Sequence, residues 1–283
     1  MGNFYDESAI NGPNKIKTNF ADTFLVLSPE YKSVFQVLTP VITKESVIWK
    51  HYVKAALRKS GQRGISIVCP GMDICPICTK NSTLMPDKKH PDYIPPQKRI
   101  VIQVLDLTPT RGCPVCAFDN YTTKCFSCGF VLSDVEEKPC NRVKLFERGT
   151  TLFQQLALLE ESVEMPYDPG DALFAEDNQN QYIDSKPGDM VCAGITRFPI
   201  TIASKVDAKG GLINICTAGP VNTLNWRDYV DLFVDMDVAY FTLLPTEILE
   251  LVAGGSLSAI FKARRDADLG DGVEDGGIDH GDI

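Results

Sequence analysis

Apolar and polar positions change their period along the chain, and the changes mark its elements. Two stretches between Phe24 and Tyr52, VFQVLTP and VITKESVIWKHYV, are rich in β-branched and aromatic residues. Both predict strands, with Pro40 at the turn between them. RIVIQVLDL, from Arg99 to Leu107, predicts a central strand. TTLFQQLALLEESVE then switches to helical spacing through Leu152, Leu156 and Leu159. Thr151 is expected to cap this helix in a capping box with Gln154, and Pro166 to stop it. ITRFPITIASKV and GLINICTAG read as two strands joined by a turn around Asp207–Gly211. Trp226 to Phe241 fits either period. Pro245 opens a short helix through Val252, Gly254-Gly255 breaks it, and a second runs to Arg265.

The stretches between these elements are as informative. Residues 1–20 are polar and predict a flexible N-terminal arm. Residues 69–97, rich in Cys, Pro, Lys and Asp, predict a metal-bearing loop. Residues 166–190 are acidic with Gly and Pro, a long loop by composition. Residues 266–283 hold too little apolar content to fold, so a disordered acidic tail is expected there.

The 283 residues allow one large or two medium domains. No apolar run approaches the ~18–20 residues of a membrane span, and the N-terminus lacks a secretory pattern. A cytoplasmic protein is the expectation, with no membrane partner. The formal net charge of -9 conceals a division. Residues 41–100 carry eleven Lys or Arg against four Asp or Glu. Residues 161–240 carry five against thirteen, and Asp266–Ile283 has seven acids and no Lys or Arg.

Seven of the ten cysteines fall in two clusters with Cys-x2-Cys spacing. In an intracellular chain that pattern reads as metal binding, not as a disulfide framework. CPVCAFDNYTTKCFSCG places Cys113, Cys116, Cys125 and Cys128 as two facing knuckles. Four thiolates satisfy a tetrahedral Zn2+ and leave no open position, so this site is expected to be structural. CPGMDICPIC supplies Cys69, Cys75 and Cys78 and needs a fourth ligand. His51, on a strand-like segment just upstream, is favoured over His90 and Cys140. Two structural Zn2+ sites are therefore expected. Cys192 and Cys216, in strand-like segments, read as small buried hydrophobes.

The order of these features resembles the single-stranded DNA-binding proteins of tailed bacteriophages, of the zinc-containing helix-destabilising type. The resemblance rests on FQVLTP at Phe35–Pro40, WKHYV at Trp49–Val53 and the CP…CPIC run at Cys69–Cys78. It continues through VIQVLDLTP at Val101–Pro109 and KLFERGTTLFQQL at Lys144–Leu156. It covers 33–160 well and 190–265 loosely. Its most specific part is the ordered His-x17-Cys-x5-Cys-x2-Cys, and the four-cysteine ribbon is additional to it. The resemblance implies a mainly β fold with some α. An OB-type barrel would fill 21–265, with a zinc subdomain at 49–97 and an inserted four-cysteine zinc ribbon at 110–131. It implies binding of single-stranded DNA in replication, recombination or repair.

Single-strand binding without sequence preference needs cations for phosphates and flat rings for bases. Trp49, Lys50, Tyr52, Lys54, Arg58, Lys59 and Arg63 interleave the two types, and Tyr93, Lys98 and Arg99 follow, with Lys88 and Lys89 nearby. Arg142, Lys144, Arg148, Arg197 and Phe198 are weaker candidates. The plain alternative is a solvated basic face beside core aromatics. The acidic tail is expected to recruit replication or recombination proteins or to compete for the basic cleft. A rival function is a zinc-ribbon accessory factor acting through protein contacts. An enzyme is not expected, since no phosphate-cradling Gly-rich loop or nucleophile motif is present.

Overall fold

The computed structural model describes residues 20–54, 64–85, 89–171, 174, 182, 184–208 and 211–270. In chain order the elements are α1 (Phe20–Thr23), β1 (Ser33–Val37), β2 (Val47–Val53), β3 (Ile65–Val68), α2 (Pro76–Leu84) and β4 (Pro96–Asp106). Next come β5 (Pro109–Gly112), β6 (Asp119–Asn120), β7 (Lys138–Pro139), β8 (Arg142–Arg148) and α3 (Thr150–Glu161). After them stand β9 (Glu164–Pro166), β10 (Met190–Cys192), β11 (Pro199–Val206) and β12 (Leu212–Ala218). Three helices, α4 (Met236–Ala239), α5 (Pro245–Val252) and α6 (Leu257–Gly270), complete the described chain. The protein is mainly β with some helices, and its sheets are antiparallel. Among the described residues no helix is long and apolar enough to cross a membrane.

The chain divides into two compact units. The larger holds Phe20–Ile48 and Lys98–Tyr240. Its sheet runs β12-β11-β1-β4, and β8 pairs with β4. Register is set by alternation: Phe35 sits opposite Ile200 on β11 and Asp106 on β4, and both Phe35 and Ile200 face the core. α3 lays Leu152, Phe153 and Leu156 on that face, where Phe35, Phe146, Phe198 and Ile202 complete the cluster. Among the described residues no pairing joins β12 to β8, so the sheet is open. At the β8 side, the Leu25 N–H donates to the Leu145 carbonyl at 2.8 Å. A strap from Asn222 to Val234 is tied to the sheet by two buried glutamines. Gln36 exchanges side-chain amide bonds with Asn222, and Gln103 bonds both the N–H and the carbonyl of Val234.

The smaller unit holds the described residues of Trp49–Gln97 together with Phe241–Gly270. Its core joins Val53, Ile67, Cys75, Ile77 and Ile94 to Leu243, Ile248, Leu251 and Ile260. Ile248 and Leu251 come from α5, Ile260 from α6, and Leu243 lies two residues before α5.

Several boundaries differ from the sequence expectation. The strand expected from Val41 begins only at Val47. Residues 43–46 close a turn instead, with Val47 N–H on the Lys44 carbonyl and Thr43 N–H on Ser46 Oγ. The loop expected to bear metal, 69–97, contains α2, which Pro76 opens with its fixed φ. The residue flanking α3 is Gly149, in extended conformation, and no side chain caps it. Thr151 lies inside the first turn, too late to cap. Trp226–Leu232 is a 3-10 turn and only Met236–Ala239 is α-helical, so the ambiguous stretch forms neither a long helix nor a strand. Met190–Cys192 pairs with Glu164–Pro166 at the ends of the acidic loop. α6 continues to Gly270, past the expected start of the tail at 266. The arm over 1–19 and the tail over 271–283 lie outside the described residues.

Candidate metal centres and the strand face beside them

In the smaller unit, β2 and β3 pair with His51 opposite Ile67 and Tyr52 opposite Ser66. Strand alternation turns His51 and Val53 into the core, and both are fully buried. The chain leaves β3 through Cys69, whose N–H donates to the Trp49 carbonyl at 2.8 Å. It then turns so that Cys75 N–H reaches the Gly71 carbonyl at 2.9 Å, and Cys78 follows on the first turn of α2. The side chains of His51, Cys69, Cys75 and Cys78 converge, with their ligand atoms within 4.8 Å of one another. His51 Nε2 lies 3.6 Å from Cys75 Sγ and 3.3 Å from Cys78 Sγ, and the Sγ atoms of Cys69 and Cys78 are 3.7 Å apart. These four could hold a metal ion.

The ring of His51 is aimed by a contact that the sequence did not reveal. Nδ1 lies 3.4 Å from the Ile94 carbonyl. A proton on Nδ1 leaves Nε2 as the lone-pair donor that a metal requires. Asn81, on α2 and buried, fixes that carbonyl. Its Nδ2 donates to Ile94 O at 2.6 Å, and its Oδ1 accepts from Ile94 N–H at 3.1 Å. The only sequence signal was an asparagine inside a helix, where it is intrinsically unfavourable. His90 is not part of this cluster, and its Nδ1 accepts the Asp92 N–H. Cys140 lies in the larger unit beside Tyr121. Burial keeps His51 neutral by lowering its pKa. Burial also raises the thiol of Cys69, and raises that of Cys78 to about 12. A bound dication reverses that preference by stabilising thiolates.

The second cluster, Cys113, Cys116, Cys125 and Cys128, lies in the larger unit. Cys113 Sγ is 3.5 Å from Cys128 Sγ, and Cys116 Sγ is 3.5 Å from Cys125 Sγ. The two knuckles repeat one backbone pattern. Cys113 N–H donates to Phe118 O and Ala117 N–H to Cys113 O; Cys125 N–H donates to Phe130 O and Gly129 N–H to Cys125 O. Burial opposes a Cys125 thiolate, but hydrogen bonds from the Cys128 N–H, the Cys128 and Cys116 thiols and the Ser127 N–H together hold the thiol down at about 6. Leu132, Phe118 and Val135 give the ribbon a small core. These four cysteines could also hold a metal ion.

The repeat exposes a cost. Ala117 and Gly129 occupy equivalent positions and share a left-handed backbone, with φ of 56° and 76°. That conformation costs an L-residue roughly 1–2 kcal/mol and glycine almost nothing. A β-carbon on Gly129 would meet nothing closer than 3.9 Å, so only the conformation would oppose it. Ala117→Gly is expected to stabilise the ribbon and Gly129→Ala to destabilise it, each by about 1 kcal/mol. Chelator-induced release of the ribbon metal, timed in each variant, measures both.

The expected DNA-contact residues are only partly gathered. Lys50 and Tyr52 share one face of β2, opposite His51, and the exposed Lys54 follows directly after the strand's last residue, Val53. Tyr52 is 40% exposed, and its ring tip occupies the space above Gly64, whose β-carbon would lie 2.3 Å from the Tyr52 hydroxyl. Trp49 is half-buried and has the parity of His51, so it belongs to the other face. Tyr93 is half-buried, with its hydroxyl 3.8 Å from Met85 Sδ. Lys98 and Arg99 stand in the larger unit near the start of β4; Lys98 is exposed and Arg99 lies beside Gly149 at the uncapped end of α3. Arg58, Lys59, Arg63 and Lys88 lie outside the described residues.

Three weaker candidates are corrected by burial. Lys144 is 1% exposed and its ammonium lies 2.9 Å from the Asp106 carboxylate. Arg197 is buried against Asp171 at 2.8 Å, and Phe198 is fully buried in the core. Arg142 remains exposed but pairs with Asp22 and Asp119. Arg148 is half-buried and donates to the Glu147 carbonyl. Cys192 and Cys216 are half-buried, not fully buried.

No protein-family model matches the chain, and a search of curated proteins found no match.

Proposed function

We propose that the protein is a non-enzymatic single-stranded DNA-binding protein whose two clusters hold structural Zn2+. The observation that carries this reading is the face of β2. Lys50 and Tyr52 stand in alternation on a strand whose opposite side supplies the metal ligand His51, and the exposed Lys54 follows its end. A metal there stiffens the strand, so ring and cations meet a nucleic acid without an ordering cost at binding. One ring stacks on any base, and two cations flank it for phosphates. Complete sulfur or sulfur–imidazole donor sets favour zinc and leave no open position for catalysis. The order of motifs resembling phage single-stranded DNA-binding proteins, with their OB-type barrel, supports the same reading. So does the basic balance of residues 41–100. Binding in replication, recombination or repair, and recruitment of their proteins by the acidic tail, belong to this proposal.

A titration of the zinc-loaded chain with fluorescent oligo-dT and a matching duplex, over a salt series, tests it. Tight single-strand binding, weak duplex binding and a log–log slope of about -0.7 per phosphate contacted are expected. Tyr52→Ala is expected to weaken oligo-dT binding by a stacking contribution of ~1–3 kcal/mol while metal content stays unchanged. Absence of binding to either form, by folded protein with both metals, would overturn the proposal.

One observation favours the rival reading, a zinc-ribbon factor that binds proteins. Phe126 is 79% exposed on the second knuckle, with Val115, Phe130 and Val131 also exposed on the ribbon. Such tips with acids at Asp134 and Glu136 suit a protein partner better than a phosphate backbone.

A further inference from the structure

The two edges of the larger unit's sheet are built differently. β8 carries Arg142, Lys144, Glu147 and Arg148 and is bridged by Phe24 and Leu25. β12, LINICTA, carries no charge and no proline, and its register with β11 runs without a bulge from Leu212 to Ala218. Charge, proline and bulges are the usual means of keeping an edge from pairing. β12 has none of them. Ile213 and Ile215, on its outer face, are 53% and 47% exposed.

The backbone parity of β12 follows from its two ends. Gly219 N–H donates to the Pro199 carbonyl and Asp207 N–H to the Gly211 carbonyl, both at 2.8 Å. Both pairs continue the β11–β12 register, so Thr217, Ile215 and Ile213 are the residues bonded to β11. Leu212, Asn214, Cys216 and Ala218 therefore turn their N–H and C=O groups toward the open edge. Those groups bond to no described residue.

We propose that β12 pairs with β12 of a second copy, antiparallel about Ile215. This register sets Leu212 against Ala218 and Asn214 against Cys216 as hydrogen-bonded pairs. Every outward main-chain group of the strand then finds a partner. Ile215 meets its copy, and Ile213 meets Thr217, as the closer non-bonded pairs, large against small on the outer face. Gly211 at one end and Gly219-Pro220 at the other bound the paired stretch. The chemistry favours a copy over a strand from the chain's own end. Asp266–Ile283 would bring seven acids and no Lys or Arg onto the edge. Lys205, opposite Ile213, is the only cation on the hairpin's two strands. A copy brings no charge on the pairing strand itself, although the chain's formal net charge is -9.

Sedimentation equilibrium of the full, metal-loaded chain tests the pairing. The wild-type chain is expected to fit a reversible dimer. Ile215→Lys, which sets two ammonium groups face to face at the two-fold, is expected to lose it. Unchanged metal content and circular dichroism show that this variant folds, as expected for a half-exposed position. Hydrogen exchange supplies a second reading: amides of Leu212, Asn214, Cys216 and Ala218 should gain protection as concentration rises. A wild-type chain that stays monomeric would overturn the proposal. So would an Ile215→Lys chain that dimerises as before, or protection of these amides that does not change with concentration.

Discussion

Cys75→Ser is expected to remove one metal ion per chain and to unfold the smaller unit while the ribbon keeps its own metal. Cys75 is fully buried, and it belongs both to the candidate ligand set and to the apolar cluster of Val53, Ile77 and Leu251. Metal binding at structural zinc sites supplies of order 10–16 kcal/mol that the apo chain lacks. A unit with so small a core is expected to depend on that term. Metal analysis should fall from two ions to one, and amide protection at Ile67 and Ile94 should vanish. Asn81→Ala tests the same centre more gently. It frees the Ile94 carbonyl and so the His51 ring, and should raise metal loss to a chelator by roughly 10–100-fold with the unit still folded. A Cys75→Ser chain that retained both ions would show that the first cluster is not a metal centre.

Lys144→Met is expected to cost the larger unit roughly 3–5 kcal/mol, because it leaves a carboxylate buried without its counter-charge. Asp106 is fully buried and depends on three donors. Lys144 lies 2.9 Å away, the Tyr121 hydroxyl donates at 2.8 Å, and the Thr108 N–H donates at 2.9 Å to the other oxygen. Burial, and then the Asp106 charge, push the Tyr121 phenol above its ordinary range, so it stays a donor. Tyr121 also stacks on Tyr31 at 5.0 Å, which ties the ribbon's connecting segment to the loop before β1. Urea unfolding should show the midpoint of Lys144→Met far below the wild type, with a smaller loss for Tyr121→Phe. A pair replacement, Asp106→Leu with Lys144→Met, should recover much of the loss. An unshifted midpoint for Lys144→Met would mean that the pair is solvated in solution.

The grouping of the two candidate metal clusters was legible because its information is local. Cys-x2-Cys fixes two sulfurs on one turn, and a histidine on the preceding strand completes the set. The Asn81–Ile94–His51 contact was not legible, since its middle member is a main-chain carbonyl that any residue could provide. Lys144 was misread for a related reason. In RVKLFER a lysine between Val143 and Leu145 looks like a solvent position, and its partner lies on β4, at a place only the β4–β8 register reveals. The helices from Pro245 onward were legible from proline, glycine and spacing, yet nothing in them announced that they would roof the metal unit. Sheet order was equally silent: β1 lies between β4 and β11, and that pairing depends on Phe35, Ile200 and their neighbours finding one another over a long separation.

The make-up of the metal unit also sets an order of events on the ribosome. All four candidate ligands of the first cluster are translated by residue 78, but Leu243, Ile248, Leu251 and Ile260 are made only about 165 residues or more later. At ordinary rates of synthesis the intervening stretch takes roughly 10–30 s to make. For that interval the nascent cysteines have neither their roof nor their full core. An ion captured early would hold the β2–β3 hairpin and the start of α2 together, a seed onto which the later helices close once they are made.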